Sequence, residues 1–160
     1  MTDYKTYLDK GIHLIYTGKF TDAINEIKKS IELKNDWEIS YFYRAVANQA
    51  LENFDEAMLD YTKAIQLNEK MTDAYYNRAK IILTRKDINN PDIDSAVVDL
   101  GKAIELDAKF LDALYALAAA HKKLGNYTLA VKYLDKLIAI EPEAINAKAL
   151  KKLLLQKYIK

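Results

Sequence analysis

Four stretches can be laid over one another: Phe20–Leu33, FTDAINEIKKSIEL; Phe54–Leu67, FDEAMLDYTKAIQL; Ile93–Leu106, IDSAVVDLGKAIEL; and Tyr127–Ile140, YTLAVKYLDKLIAI. Their starts lie 34, 39 and 34 residues apart. In each, an aromatic or Ile is followed three places later by Ala (Ala23, Ala57, Ala96, Ala130). Apolar residues at helical spacing then run through Leu33, Leu67, Leu106 and Ile140. Twelve places before three of those alanines stands another small residue, Gly11, Ala45 or Ala118; in the third stretch Ala79 stands 17 places before Ala96. A small residue on each of two helices lets the backbones approach, while larger neighbours interlock as ridges in grooves. The pattern predicts antiparallel helix hairpins, with each quoted stretch the second helix of its pair.

This recurrence resembles the tetratricopeptide repeat family, whose period is 34 residues. The resemblance divides the chain into repeats at 4–37, 38–71, 72–110 and 111–144 within a single domain. It implies an all-α right-handed solenoid. The Pro usual near a repeat's end stands only at Pro142, with Asn35, Glu69 and Ala108 in its place elsewhere, and Leu137 replaces a small residue. A solenoid end needs covering. The last stretch, INAKALKKLLLQKYIK (145–160), suits a capping helix whose face is Ala147, Leu150, Leu154 and Tyr158. Its Lys148, Lys151, Lys152, Lys157 and Lys160, with no acid among them, also allow an anionic membrane or nucleic acid as partner. Capping is the preferred reading.

Composition narrows the function further. With 160 residues and 51% hydrophobic content, the chain can bury a sizeable core. Lys and Arg number 24 against 23 Asp and Glu, so no overall field gathers nucleic acid. The absence of Cys removes thiolate chemistry and disulfides. No run resembles a signal peptide or a membrane span, and the expectation is a cytoplasmic protein.

Motifs that suggest chemistry fail on inspection. Gly11–Lys19, GIHLIYTGK, resembles a phosphate loop, but its glycines are seven apart and Phe20 stands where a metal-binding hydroxyl belongs. The run from Asp87 mimics a calcium loop, yet Pro91, Asp92 and Val98 occupy places that need a ligand, a Gly and a Glu. His13 and His121 fall in different repeats, and His121 is expected to be packed and hydrogen-bonded. Carboxylates recur beside Lys, as in Glu26 with Lys29 and Asp99 with Lys102, and are expected to be exposed. No acid, base and nucleophile converge, so an enzyme, a cofactor and a metal site are not expected.

The 39-residue interval holds the stretch TRKDINNPDIDSA (84–96). Asn90 is expected to be the N-cap of the following helix, with Pro91 its first residue and Asp92 in its first turn. The extra residues should lengthen that helix by about a turn.

The resemblance implies that first helices line a concave surface for peptides. Lys5, Leu8, Ile12 and Ile15 would line it in the first repeat, and Phe42, Tyr43, Val46 and Gln49 in the second. Asp73, Tyr76, Asn77, Lys80 and Thr84 follow in the third, then Asp112, Tyr115, Ala119 and Lys122. The family's clamp for acidic chaperone tails needs Lys, Asn and Arg. Leu8 and Ile12, or Phe42 and Val46, stand at its first places, and Asp112 and Ala116 follow the one match, Asn77. A chaperone-tail clamp is therefore not expected. Phe42, Tyr43, Tyr76 and Tyr115 are candidate anchors for a protein or peptide partner with apolar side chains. The expected function is a non-catalytic interaction scaffold or adaptor. The alternatives are a homo-oligomeric module that covers the surface with a second copy, and a membrane-peripheral adaptor using the C-terminal lysines.

Overall fold

The second helix of an expected hairpin can bury its alanine only against a partner helix, and the structure supplies that partner in the first, second and fourth hairpins. The computed structural model describes residues 3–85 and 89–159. The described helices are α1 (Tyr4–Tyr16), α2 (Phe20–Leu33), α3 (Glu38–Ala50), α4 (Phe54–Leu67), α5 (Thr72–Thr84), α6 (Asn90–Leu106), α7 (Leu111–Lys123), α8 (Tyr127–Ile140) and α9 (Ile145–Lys157). No strand occurs among the described residues. The fold is all-α, as the periodicity predicts. The chain divides into two compact units, Met1–Ile81 and Ile82–Lys160.

In the first unit, α1 packs on α2 and α3 on α4, and α2 also packs on α3. Gly11 and Ala23 are both buried at the α1–α2 contact. A Cβ added to Gly11 would lie 2.4 Å from Ile27 Cγ1 and 3.3 Å from the Ala23 carbonyl oxygen, so the glycine is required by close approach. The equivalent contacts use Ala45 with Tyr61 and Ala118 with Leu134, where the larger partner is unbranched at Cβ. At Gly11 the space a methyl would need is filled by Cγ1 of the β-branched Ile27. Above this contact, the α3–α4 core gathers Ala57, Tyr61 and Ile65 with Ala74 and Ile81 of α5. The Tyr61 ring is fully buried and its hydroxyl donates to Gln49 Oε1 at 2.8 Å.

Polar contacts recur with the same period. Arg44 donates from Nε and a terminal nitrogen to both oxygens of Asp60, each at 2.7 Å, tying α3 to α4. Thirty-four residues earlier, Lys10 reaches Glu26 at 3.1 Å from α1 to α2. Glu26 and Asp99, read from the sequence as exposed, are buried at 8% and 6% exposure. The reason for Glu26 is this cross-helix pairing: burial of a carboxylate requires a cation, and Lys10 and Lys29 both reach it.

The turns within the hairpins are also built alike. Gly18 (φ 74°), Glu52 (φ 60°) and Gly125 (φ 77°) occupy the left-handed region just beyond α1, α3 and α7. In each, the next residue donates back across the helix end: Lys19 to Leu14 O, Asn53 to Asn48 O and Asn126 to His121 O, at 2.8–2.9 Å. With the bonds Gly18 to Ile15 O, Glu52 to Gln49 O and Gly125 to Lys122 O, at 3.0–3.1 Å, these are Schellman caps. The second helices α2, α4, α6 and α8 end on Lys34, Asn68, Asp107 and Glu141, with φ between −124° and −149°. That ending does not depend on the Pro that three of the four lack.

In the second unit, α6 packs on α7, α7 on α8 and α8 on α9. Its core joins Leu114 and Ala118 to Ala130, Leu134 and Leu137, and closes with Ala147 and Leu154 of α9. Leu137 is 4% exposed, so its bulk packs in the core rather than blocking a contact. The α9 helix covers this core with the expected face, and Tyr158 stacks on Tyr127 with ring centroids 4.1 Å apart.

The start of α6 corrects the expected cap. Asn89, not Asn90, is the N-cap: its side chain accepts from Asp92 N at 3.0 Å, and the Asp92 carboxylate accepts from Asn89 N at 3.1 Å. That reciprocal box satisfies two end donors, more than Asn90 alone would do, and it places Pro91 second in the helix, where its lack of N–H is harmless. The α6 helix has 17 residues against 14 in α2, α4 and α8. Of the five extra residues, three lengthen α6 and two lie in the interval before it. Residues 86–88, including Asp87 at the head of the rejected calcium loop, lie outside the described residues.

Two stability changes follow. Gly11→Ala gains about 1 kcal/mol of helix propensity but overpacks the α1–α2 contact by about 1–3 kcal/mol, so a net loss of about 1 kcal/mol is expected in urea denaturation. Adding Ile27→Leu should recover most of it; no recovery would show that Ile27 is not the obstruction. Glu52→Gly relieves a left-handed non-glycine and should stabilise the chain by about 0.5–1 kcal/mol in the same assay.

Candidate partner-binding surface

The first unit brings the free faces of α1, α3 and α5 into one electrostatic neighbourhood. Tyr43 of α3 is half-buried, and its hydroxyl is pushed above the ordinary tyrosine range, first by burial and then by Tyr16 of α1 and Asp73 of α5. Tyr16 is 82% exposed at the end of α1. Phe42 meets Tyr43 edge-on at 5.3 Å and Tyr61 at 5.8 Å, so one ring joins the surface to the core. Phe42 and Val46 are half-buried and pack on the α3–α4 core. Ile12, Tyr76 and Asn77 are also half-buried, and exposed Lys80 lies 6.0 Å from the Tyr76 ring.

Leu8 differs from the rest of its expected set. At 2% exposure it is a core residue, so it supports the surface from behind and offers nothing to a ligand. Tyr16 was not among the expected residues. Its signal was available, since it follows Ile12 by one turn on the same face of α1. In the second unit, α7 carries Tyr115, 38% exposed, half-buried Lys122 and exposed Asp112.

The histidines are placed differently from one another. His13 is exposed on α1. His121 is 7% exposed on α7, its ring stacked on Tyr133 of α8 with centroids 5.4 Å apart. Its Nδ1 has no hydrogen-bond partner, which corrects the expectation of a satisfied ring. Stacking supplies the contact here, and burial lowers the imidazole pKa while Asp94 opposes that shift. Among the described residues, no three His, Asp or Glu side chains come together as a metal site. None of the described helices is long and apolar enough to cross a membrane.

The repeated hairpins have counterparts among known proteins. A tetratricopeptide repeat family model matches residues 40–71, and the Fis1 C-terminal tetratricopeptide repeat model matches 111–160, which includes α9. The chain belongs to the tetratricopeptide repeat family. Human DnaJ homolog subfamily C member 3 is 26% identical over 150 residues, 86% of this chain and 29% of that protein. The chain spans 11% and 29% of the lengths of the two human relatives it matches. Among solved structures, the MamA protein superposes with a TM-score of 0.86 at 22% identity, covering 96% of this chain and 81% of MamA. The first tetratricopeptide repeat domain of Spaghetti (RPAP3), bound to the HSP90 peptide SRMEEVD, superposes with a TM-score of 0.71 at 23% identity, covering 76% and 93%. At these identities the likeness is one of fold.

In this tetratricopeptide repeat chain the buried His121 sets a pH dependence. Its folded pKa lies below the unfolded value, so the unfolded chain takes up the proton first as pH falls. The stability His121 contributes is complete above the unfolded pKa of about 6.5 and is lost as pH drops through it toward the folded value. Tm should therefore fall between about pH 7.5 and about pH 5.5, and His121→Gln should flatten that fall. An unchanged slope in the variant would assign the titration elsewhere.

Proposed function

We propose that the chain is a non-catalytic protein-interaction scaffold, and that the α1, α3 and α5 face of its first unit holds a partner segment carrying apolar side chains. The feature that supports this reading is the occurrence of Tyr16, Phe42, Tyr43 and Tyr76 on three successive first helices, with Tyr16 and Asp73 both acting on the Tyr43 hydroxyl. Phe42, held edge-on by Tyr43 and Tyr61, offers contact area with little left to order on binding. The family membership supports a protein partner, and the related fold of the HSP90-peptide complex shows that such hairpins can accommodate a peptide.

The side chains here do not favour an acidic tail. Half-buried Ile12, Phe42 and Val46 and exposed Asp73 stand on this face, with Lys5 and Lys80 as its exposed cations. Two separate lysines do not make the Lys, Asn and Arg clamp, so a two-carboxylate tail would lose hydration for few charge-assisted hydrogen bonds.

Selection of a displayed peptide library on the immobilised chain tests this. Selected sequences should be rich in Leu, Ile or aromatic residues, and Tyr16→Ala/Tyr76→Ala should weaken them by about tenfold or more while thermal melting stays cooperative. These tyrosines are better probes than Phe42, whose loss would also damage the core. Binding unaffected by the pair would remove this face from the proposal. Selective binding of SRMEEVD over a scrambled peptide, lost in the same variant, would overturn the apolar reading.

A further inference from the structure

The second unit contains another recess, independent of the face just described. Between α8 and α9 lies an open cleft of about 400 Å³, lined by Ile138, Lys148, Lys151, Lys152, Leu155 and Gln156. The helical register explains the lining. Ala147 and Leu154 turn α9 into the core, while Lys148, Lys152 and Leu155 fall together on the adjacent flank. Ile138 of α8 packs against the core and also lines the cleft from the opposite side.

The charge around this apolar strip is one-sided. Lys151 is paired with Asp135 of α8, whereas Lys148 and Lys152 are exposed, one turn apart, on a helix that carries no acidic residue. Two like charges about 6 Å apart along a helix repel weakly when alone and both gain from anions at matching spacing. The apolar wall needs an aliphatic or aromatic side chain to cover it.

We infer that the α8–α9 cleft is a docking site for an acidic peptide segment, one bulky apolar residue lying against Ile138 and Leu155 and flanking carboxylates reaching Lys148 and Lys152. A helical segment with acids at i and i+4, or an extended one with acids at i and i+2, matches the lysine spacing. A membrane surface fits less well. Bilayer binding grows with the apolar area inserted, and this strip offers only Leu155, 43% exposed, and half-buried Ile138.

The test uses a fluorescein-labelled helical peptide with a central Leu and Glu residues one turn apart, followed by fluorescence anisotropy on the full chain. Binding should weaken by about tenfold or more in Lys148→Glu/Lys152→Glu, two reversed charge pairs, and in Leu155→Ser. A second peptide, with Lys replacing each Glu, should bind the charge-reversed chain better than the native one. Circular dichroism should show unchanged helicity, and backbone amide shifts on titration should map to α8 and α9. Peptide affinity unchanged by the charge reversal, or shifts confined to α1, α3 and α5, would overturn the proposal. So would lysine-dependent sedimentation with phosphatidylserine vesicles and no peptide binding.

Discussion

The hairpins depend on how closely two helix backbones approach at one pair of small residues. At Gly11 and Ala23 the clearance is too small for even a methyl group beside Ile27. That constraint fixes the rotation of both helices about their own axes. Once α1 turns Gly11 inward, Leu8 is carried into the core and Ile12 and Tyr16 are carried toward the free face. The same rotation in α3, set by Ala45 against Ala57, places Phe42 half over the core and Tyr43 beyond it. Packing and surface presentation are thus two consequences of one contact.

Polar groups lock the arrangement that the small residues permit. A bidentate Arg44–Asp60 pair has one strongly preferred geometry, so it fixes the register of α3 on α4 more than it adds net stability. The buried hydroxyls of Ser30 and Ser40, 2.9 Å apart, act in the same way between α2 and α3. Tyr61 adds a third fixed point: its buried hydroxyl is satisfied by Gln49, and burial holds it in the protonated, donating form. These groups tolerate little sliding between the helices. Phe42, which meets Tyr61 edge-on, inherits that rigidity.

Much of this was legible in the sequence because it is periodic. Gly11, Ala45 and Ala118 recur with their partner alanines, and recurrence alone predicts the hairpins. The features that were missed are those where chemistry, not spacing, decides. Glu26 resembled an ordinary exposed Glu–Lys neighbour of Lys29, but Lys10 draws it inward from the other helix. Comparing Lys10 and Glu26 with Arg44 and Asp60, each pair 34 residues on, would have exposed the cross-helix ties. Asn89 and Asn90 are equivalent by residue type, and only the reciprocal bond from Asp92 distinguishes them. Leu8 shows the limit of carrying a family's surface onto one chain, because an aliphatic residue at the edge of a groove turns inward when the core has room for it.

The two faces considered as binding sites differ in how freely they could have diverged. Second helices are constrained on several sides: α2 packs on both α1 and α3, and α8 on both α7 and α9. Their small and aliphatic residues therefore repeat closely from hairpin to hairpin. First helices pack on two neighbours as well, α3 on α2 and α4 and α7 on α6 and α8, so only their outward residues escape that constraint. Leu8, Phe42, Tyr76 and Tyr115 occupy corresponding places and yet range from core residue to partly exposed ring. The α9 flank is similarly unconstrained where it turns away from Ala147 and Leu154, and lysines accumulate there without disturbing the cap. The repeat is readable from sequence because packing dictates it, and the residues that differ from hairpin to hairpin lie where packing dictates least.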